Sequence, residues 1–435
     1  MASAVASRPF RVCFVALNAY PAIDPQAPGA IGGIETRAWM FARALVARGD
    51  CEVQFVVRHT QPLRKTVVDG VTLVPILDRF YRLRESVSTR IERQPLFPYL
   101  RIRNWSLGLL WQLPFLAMIR QFRAKPPGPR EPQPLLQAID TDLFCTFGVQ
   151  SFSAATIASA HAAGRPTVLV LGSDSDLDER YTEHSTWINP YTDRGDLCWW
   201  IVRNADVVVT QTAWQQQRLQ SQFARTGACV ENPIDVEEWD ARQILPLADT
   251  YSTGWDRYIL WVGRAEAVHK RPQVCLELAR LCPQAQFLLV LNPRDDGLEE
   301  HLRQTAPANV RFVRHVPFPQ MPALFRRAVA LVNTSSLEGF PNTFLQAALS
   351  RIPVGALDVG DVFLPASGAG VACGGSLQTL ADFTNRVWAD PTSWQSRMET
   401  AREYVIQNHG LAAKATAFFR VLLAARSSSP TKSQT

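Results

Sequence analysis

The 435 residues exceed what one hydrophobic core usually organises, so two domains of about 200 residues each are expected. An apolar share of 47% excludes a disordered chain. Eight cysteines with no C-x-x-C pair and no zinc-ligand spacing exclude a disulfide scaffold or zinc module and read as buried thiols of a cytosolic protein. The formal charge of +6 is concentrated, because Asp78–Arg130 carries eleven basic and three acidic residues, a net +8. These basic residues lie beside aliphatic runs, so no nucleic-acid partner is expected despite a pI near 9.0.

In chain order, the start Met1–Arg11 reads as free of a signal peptide, since the run Val12–Leu17 is too short for one and suits a first strand. Strands are expected at Arg11–Leu17, Glu52–Val57, Val71–Pro75, Leu143–Phe147, Thr167–Leu171 and Val207–Thr210. Between the first two, Ile34, Ala38, Phe41, Ala42, Leu45 and Val46 recur at helical spacing until Gly49. The glycine-rich turn Gly29–Gly33 opens that helix, and Gly32 and Gly33 let the backbone approach a phosphate or sugar.

Pro95–Lys125 breaks the alternation. Its apolar stretch, interrupted by Gln112 and Pro114, is shorter than the roughly 20 residues that span a bilayer. Its Trp and Arg content fits an element lying on an anionic membrane surface, and equally a core helix with a solvated basic edge.

Leu171-Gly172-Ser173-Asp174-Ser175-Asp176 follows the fifth strand. Asp174 and Asp176 are candidate catalytic acids that orient a hydroxyl or stabilise positive charge at an anomeric carbon. The alternative is a helix cap with acids that compensate the dipole. A metal-binding D-x-D reading is set aside and no metal is expected.

A break at Asn232–Asp256 precedes a second series of strands at Tyr258–Val262, Phe287–Leu291, Arg311–Val313, Ala330–Val332 and Val354–Leu357. Arg264 and Lys270 flank the end of the first of these. Glu338, Gly339, Phe340, Pro341, Asn342 and Thr343 follow the fourth. Pro341 suits the first helical position and leaves the N–H groups of Asn342 and Thr343 free for an anion, while Asn342 and Gln346 share one face.

The stretch Glu338 to Gln346, with Gly339-Phe340-Pro341 inside it, resembles the E-x7-E hallmark of group 1 glycosyltransferases of the GT-B fold, with Gln346 at the second glutamate. Trp261-Val262-Gly263-Arg264 with Lys270-Arg271-Pro272, Gly32-Gly33-Ile34-Glu35 and Asn232-Pro233-Ile234-Asp235 extend the likeness over nearly the whole chain. A family histidine near Leu171 is absent.

The resemblance implies an α/β GT-B enzyme with two Rossmann-like doubly wound domains facing a central cleft. The N-terminal acceptor-side domain spans 1–235 and contains the basic and apolar segment 78–130. The donor domain spans 236–408, a helix at 409–426 crosses back, and a disordered tail runs over 427–435.

By the same resemblance Gly32, Gly33, Arg264 and Lys270 bind the donor diphosphate, and Gln346 the ribose. Glu338 is counted with Asp174 and Asp176 among the catalytic residues and, with Gly339, Phe340, Pro341, Asn342 and Thr343, binds the sugar. The implied co-substrate is a UDP- or GDP-linked sugar with no further cofactor, and the implied partner is a glycan or lipid-linked acceptor. The implied activity is retaining, metal-independent transfer in cell-surface polysaccharide synthesis, with the leaving phosphate helping to deprotonate the incoming hydroxyl. The expected location is the cytoplasm or the inner face of the membrane. A turnover-deficient nucleotide-sugar-binding protein and a nucleotide-sugar epimerase on the same fold remain as alternatives.

Overall fold

The computed structural model describes residues 8–24, 27, 32–88, 90–93, 97–102, 104–122, 127–252, 254–293 and 295–427. The expectation for Gly29–Ile31 and that for the tail beyond residue 427 lie outside the described residues. Two compact units emerge. The first comprises 1–170, 180–207 and 422–435, and the second 171–179 and 208–421. The loop 171–179 and the segment 208–235 group with the second unit, while Val207–Thr210 and Ala228–Cys229 are strands of the first sheet.

The first sheet is built from β1 (Phe10–Val15), β2 (Cys51–His59), β3 (Val67–Val68), β4 (Val71–Leu77), β7 (Leu143–Phe147), β8 (Thr167–Val170), β9 (Val207–Thr210) and β10 (Ala228–Cys229), in the order β10-β9-β8-β7-β1-β2-β4-β3. A two-stranded hairpin pairs β5 (Ile91–Arg93) with β6 (Leu100–Ile102). Strand β7 is buried at all five positions, as its unbroken apolar run requires of a parallel strand covered on both faces. Arg426 of the helix Leu411–Ser427 lies 5.0 Å over the ring of Phe10.

The second sheet is wholly parallel and runs β13-β12-β11-β14-β15-β16. Its strands are β11 (Tyr258–Arg264), β12 (Phe287–Asn292), β13 (Val310–Val313), β14 (Ala328–Asn333), β15 (Val354–Ala356) and β16 (Gly370–Ala372). Tyr258, Trp261, Phe325 and Phe344 are buried in its two layers, and the Tyr258 hydroxyl donates to the Leu324 carbonyl at 2.7 Å.

The expected break at Asn232–Asp256 instead holds the helix Val236–Gln243. Asp235 caps it through the Glu238 N–H, and Trp239 is 1% exposed in the core of the second unit. Glu237 and Glu238 occupy the first turn of this helix, where the dipole favours them. The segment 78–130 resolves into the helix Tyr81–Ser88, the β5–β6 hairpin and the helix Leu109–Phe122.

Candidate functional site

Strands β12 and β13 extend from one side of β11, and β14 to β16 from the other. The chain order therefore reverses between β11 and β14, and in open parallel sheets that switch point, at the carboxyl strand ends, is where ligands bind. Here it places the loop 265–271 beside the loop 334–341.

A side-chain lattice joins these two loops. Gly263 is required because a Cβ would sit 2.4 Å from the Trp261 ring. That ring is thereby free to donate from Nε1 to the Thr334 hydroxyl at 2.9 Å. The same hydroxyl reaches the Lys270 and Arg271 carbonyls at 3.0 Å each. The Ser336 N–H donates to the His269 carbonyl at 2.8 Å.

Glu266 closes the turn by accepting from the N–H groups of Val268, His269 and Lys270. Burial alone would raise this carboxyl, but those three donors hold it below its ordinary value. Arg271 adopts φ +50°, pairs with Asp358 and donates to the Thr334 carbonyl at 2.7 Å. It is occupied in holding the loops together.

Lys270 points the other way, and its Nζ donates to Glu338 Oε1. The same oxygen accepts from Ser335 Oγ at 2.7 Å. Arg264, the exposed last residue of β11, has no ion pair among the described residues. The two expected phosphate cations thus differ, one held by a carboxylate and one open to solvent.

Asp174 and Asp176 lie in the 3-10 helix Asp174–Leu177, within the second unit. Ser173 is the N-cap without a side-chain cap bond, and both acids sit in the first turn, where the dipole favours them. The Asp176 carboxylate is buried and accepts the Gly172 N–H at 2.6 Å, which braces the turn.

Asp174 instead faces the Glu338 loop. A Cβ on Gly339 would lie 3.1 Å from Ser173 Cα and 3.3 Å from the Asp174 nitrogen. Gln215 Nε2 donates to Asp174 Oδ1 at 2.9 Å. Burial first, then the negative charges of Asp176 and Glu338, push the Asp174 carboxyl up to about 6 against the Gln215 bond. A raised carboxyl beside a second carboxylate and a lysine is a functional-site signature.

The helix Asn342–Leu349 begins one residue later than expected, with Pro341 at the N-cap rather than inside the first turn. The Phe344 N–H is taken by the Pro341 carbonyl at 2.9 Å. Among the described residues the N–H groups of Asn342 and Thr343 have no acceptor, and the half-buried Gln346 amide has no side-chain partner.

Asn342 Oδ1 accepts from Asn232 Nδ2 at 2.8 Å. The Asn232 carbonyl meets His409 Nδ1 at 3.1 Å, and the His409 ring stacks on Phe340 at 5.3 Å. Burial holds His409 below its ordinary pKa, so the neutral ring supports Phe340 without adding charge. Asn232 and His409 were not singled out as site-supporting residues by sequence. The legible signal was the Asn232–Asp235 segment, whose cap and bridge to Gly410 fix the asparagine beneath the helix.

Gly32 and Gly33 lie in the first unit. Gly32 caps the helix Gly33–Ala47 in extended conformation, φ −104°, and its carbonyl accepts from Thr36 Oγ1 at 3.0 Å. Among the described residues no group of three His, Cys, Asp or Glu side chains is placed to hold a metal ion.

Residues 256–390 match the family model described as glycosyl transferases group 1. Glycogen synthase of Mycobacterium tuberculosis is 27% identical over 256 residues, 56% of this chain and 60% of that protein; the chain thus spans about 60% of the length of the curated relative it matches. Among solved structures, sucrose-phosphate synthase from Thermosynechococcus elongatus superposes with TM-score 0.64 at 17% identity, over 96% of this chain and 100% of that one. Anabaena HepE, solved in complex with UDP and glucose, gives TM-score 0.59 at 16% identity, over 95% and 100%.

Proposed function

We propose that this chain, whose residues 256–390 match the group 1 glycosyl transferase model, is a GT-B glycosyltransferase that moves a hexose-type sugar from a nucleoside diphosphate to a hydroxyl of a glycan or lipid-linked acceptor. The observation that carries the reading is the placement of Lys270, Glu338 and the free N–H groups of Asn342 and Thr343 around one switch point.

In this reading the diphosphate takes up the Lys270 ammonium and the Arg264 guanidinium, together with the open helix start. Two cations stabilise the charge that grows on the leaving group, so no divalent ion is required. As Lys270 turns to phosphate, Glu338 becomes free to accept from sugar hydroxyls, with Gly339–Thr343 shaping that side. Gln346 offers its amide to the ribose. Asp174 faces the reacting carbon, where its charge opposes the positive charge developing there.

Transfer proceeds with retention, the leaving phosphate helping to deprotonate the acceptor hydroxyl. The Anabaena relative solved with UDP and glucose favours a uridine nucleotide, with a guanosine nucleotide next. The setting is cytoplasmic, at the inner membrane face, in polysaccharide or glycoconjugate synthesis.

Lys270→Ala tests the clamp. Donor turnover, read as released nucleoside diphosphate in an acceptor screen, should fall by about 10² or more, the scale expected when one charge-stabilising donor is lost. The unfolding midpoint should stay near that of the parent. Unchanged turnover removes the assignment. Donor binding with no turnover by the parent protein against any acceptor supports a binding protein instead, as Gln346 and Leu171 allow. Donor consumption without acceptor supports an epimerase.

A further inference from the structure

The helix Leu109–Phe122 has an unusual outer face. No charged residue occurs between Leu109 and Ile119. Its exposed positions Leu110, Trp111, Pro114, Ala117 and Met118 recur at helical spacing, and Trp111 is 57% exposed. The opposite side is anchored, with Leu109 buried and the Phe115 ring 5.8 Å from that of Phe80. Water therefore meets the apolar side of a helix whose other side is already packed. The approach to this helix continues the pattern. Phe97 at the tip of the β5–β6 hairpin is 85% exposed, Trp105 61% and Leu107 79%.

Exposed apolar surface on this scale marks an interaction face. Charge selects its occupant. Pro95–Lys125 holds five basic residues and no acidic one, and Arg101 sits exposed on the hairpin between the apolar side chains. A protein partner would need an apolar surface ringed by acids, whereas an anionic bilayer offers both features in one plane. The 14-residue helix is too short to span it, since roughly 20 residues are needed. Among the described residues no helix is long and apolar enough to cross.

We infer that the hairpin tip and the outer face of the helix Leu109–Phe122 dock on an anionic lipid surface. Phe97, Trp105, Leu107 and Trp111 enter the headgroup boundary, and Arg101 rests on the lipid phosphates. This deepens the proposed membrane setting and is independent of the donor chemistry.

The test is co-flotation of the full chain with phosphatidylcholine vesicles, with and without phosphatidylglycerol. Binding is expected only with phosphatidylglycerol, weakening as salt rises. The triple variant Phe97→Ser, Trp105→Ser, Trp111→Ser should bind about tenfold less tightly. It should keep the parent's unfolding midpoint and its thermal response to uridine diphosphate. A variant that floats as well as the parent overturns the inference, as does equal binding to neutral vesicles. So does a dimer of the parent in vesicle-free sedimentation that the triple variant abolishes, because the face would then belong to a second copy. Loss of flotation with an intact nucleotide response leaves the catalytic reading untouched. Flotation of the parent with no thermal response to either uridine or guanosine diphosphate sinks the catalytic reading alone.

Discussion

Replacing Asp174 with Asn separates a tuned carboxylate from a supporting one, because the two roles predict opposite signs. In the folded chain the carboxyl titrates at about 6 instead of 3.8. Below pH 3.8 both folded and unfolded chains hold the proton, and the group contributes no difference. Between about 4 and 6 the folded state keeps a proton that the unfolded chain has released, so stability falls as pH rises. Above about 6 the buried charge is carried at a cost.

At about 1.4 kcal/mol per pH unit, a rise of roughly two units costs about 3 kcal/mol at neutral pH, less whatever solvent reaches the site. Asn keeps an acceptor for Gln215 Nε2 and removes the charge. Urea unfolding at pH 4 and pH 8 should find Asp174→Asn more stable than the parent at pH 8 by about 1–3 kcal/mol. The two should nearly coincide near pH 4. Turnover should fall in the same variant, the exchange of stability for activity expected where a charge is kept at a site for use. A variant less stable than the parent at pH 8, or one with the parent's pH slope, refutes the reasoning and makes Asp174 a structural acid.

Gly339→Ala should lower kcat/KM by about 10² and stability by only about 1 kcal/mol. The new methyl would press on the backbone at Ser173 and Asp174 and push the Glu338 loop aside. Steady-state kinetics with a denaturation curve checks this, and parent-like kinetics would sink the placement of that glycine. Excess chelator should leave the turnover rate unchanged, measured after the protein is freed of metal by dialysis. Inhibition that manganese reverses would revive the carboxylate-bound metal reading of Asp174 and Asp176.

The sequence carried the parallel strands because their apolar runs report burial on both faces, as at Leu143–Phe147. It carried the loops around Arg264, Lys270 and Glu338 because local residue types mark strand ends and helix starts. Partnerships made across the fold left no local trace. Nothing near Lys270 says that its ammonium rests on a carboxylate 68 residues away. Nor does anything near Asp174 separate it from Asp176, which only packing makes a brace. The helix Val236–Gln243 was hidden because its polarity resembles a linker, while its one anchoring residue, Trp239, gives no periodicity. Gln215 escaped notice because a glutamine within a polar helix has no distinguishing neighbours.

The Thr334 hydroxyl has a mechanical consequence. By accepting from the Trp261 indole while reaching two carbonyls of the neighbouring turn, it rivets the lysine-bearing turn to the carboxylate-bearing one. The phosphate end and the sugar end of the site therefore travel as a single stiff part. Evolution cannot retune one end without displacing the other, and substitutions at the two ends will combine non-additively.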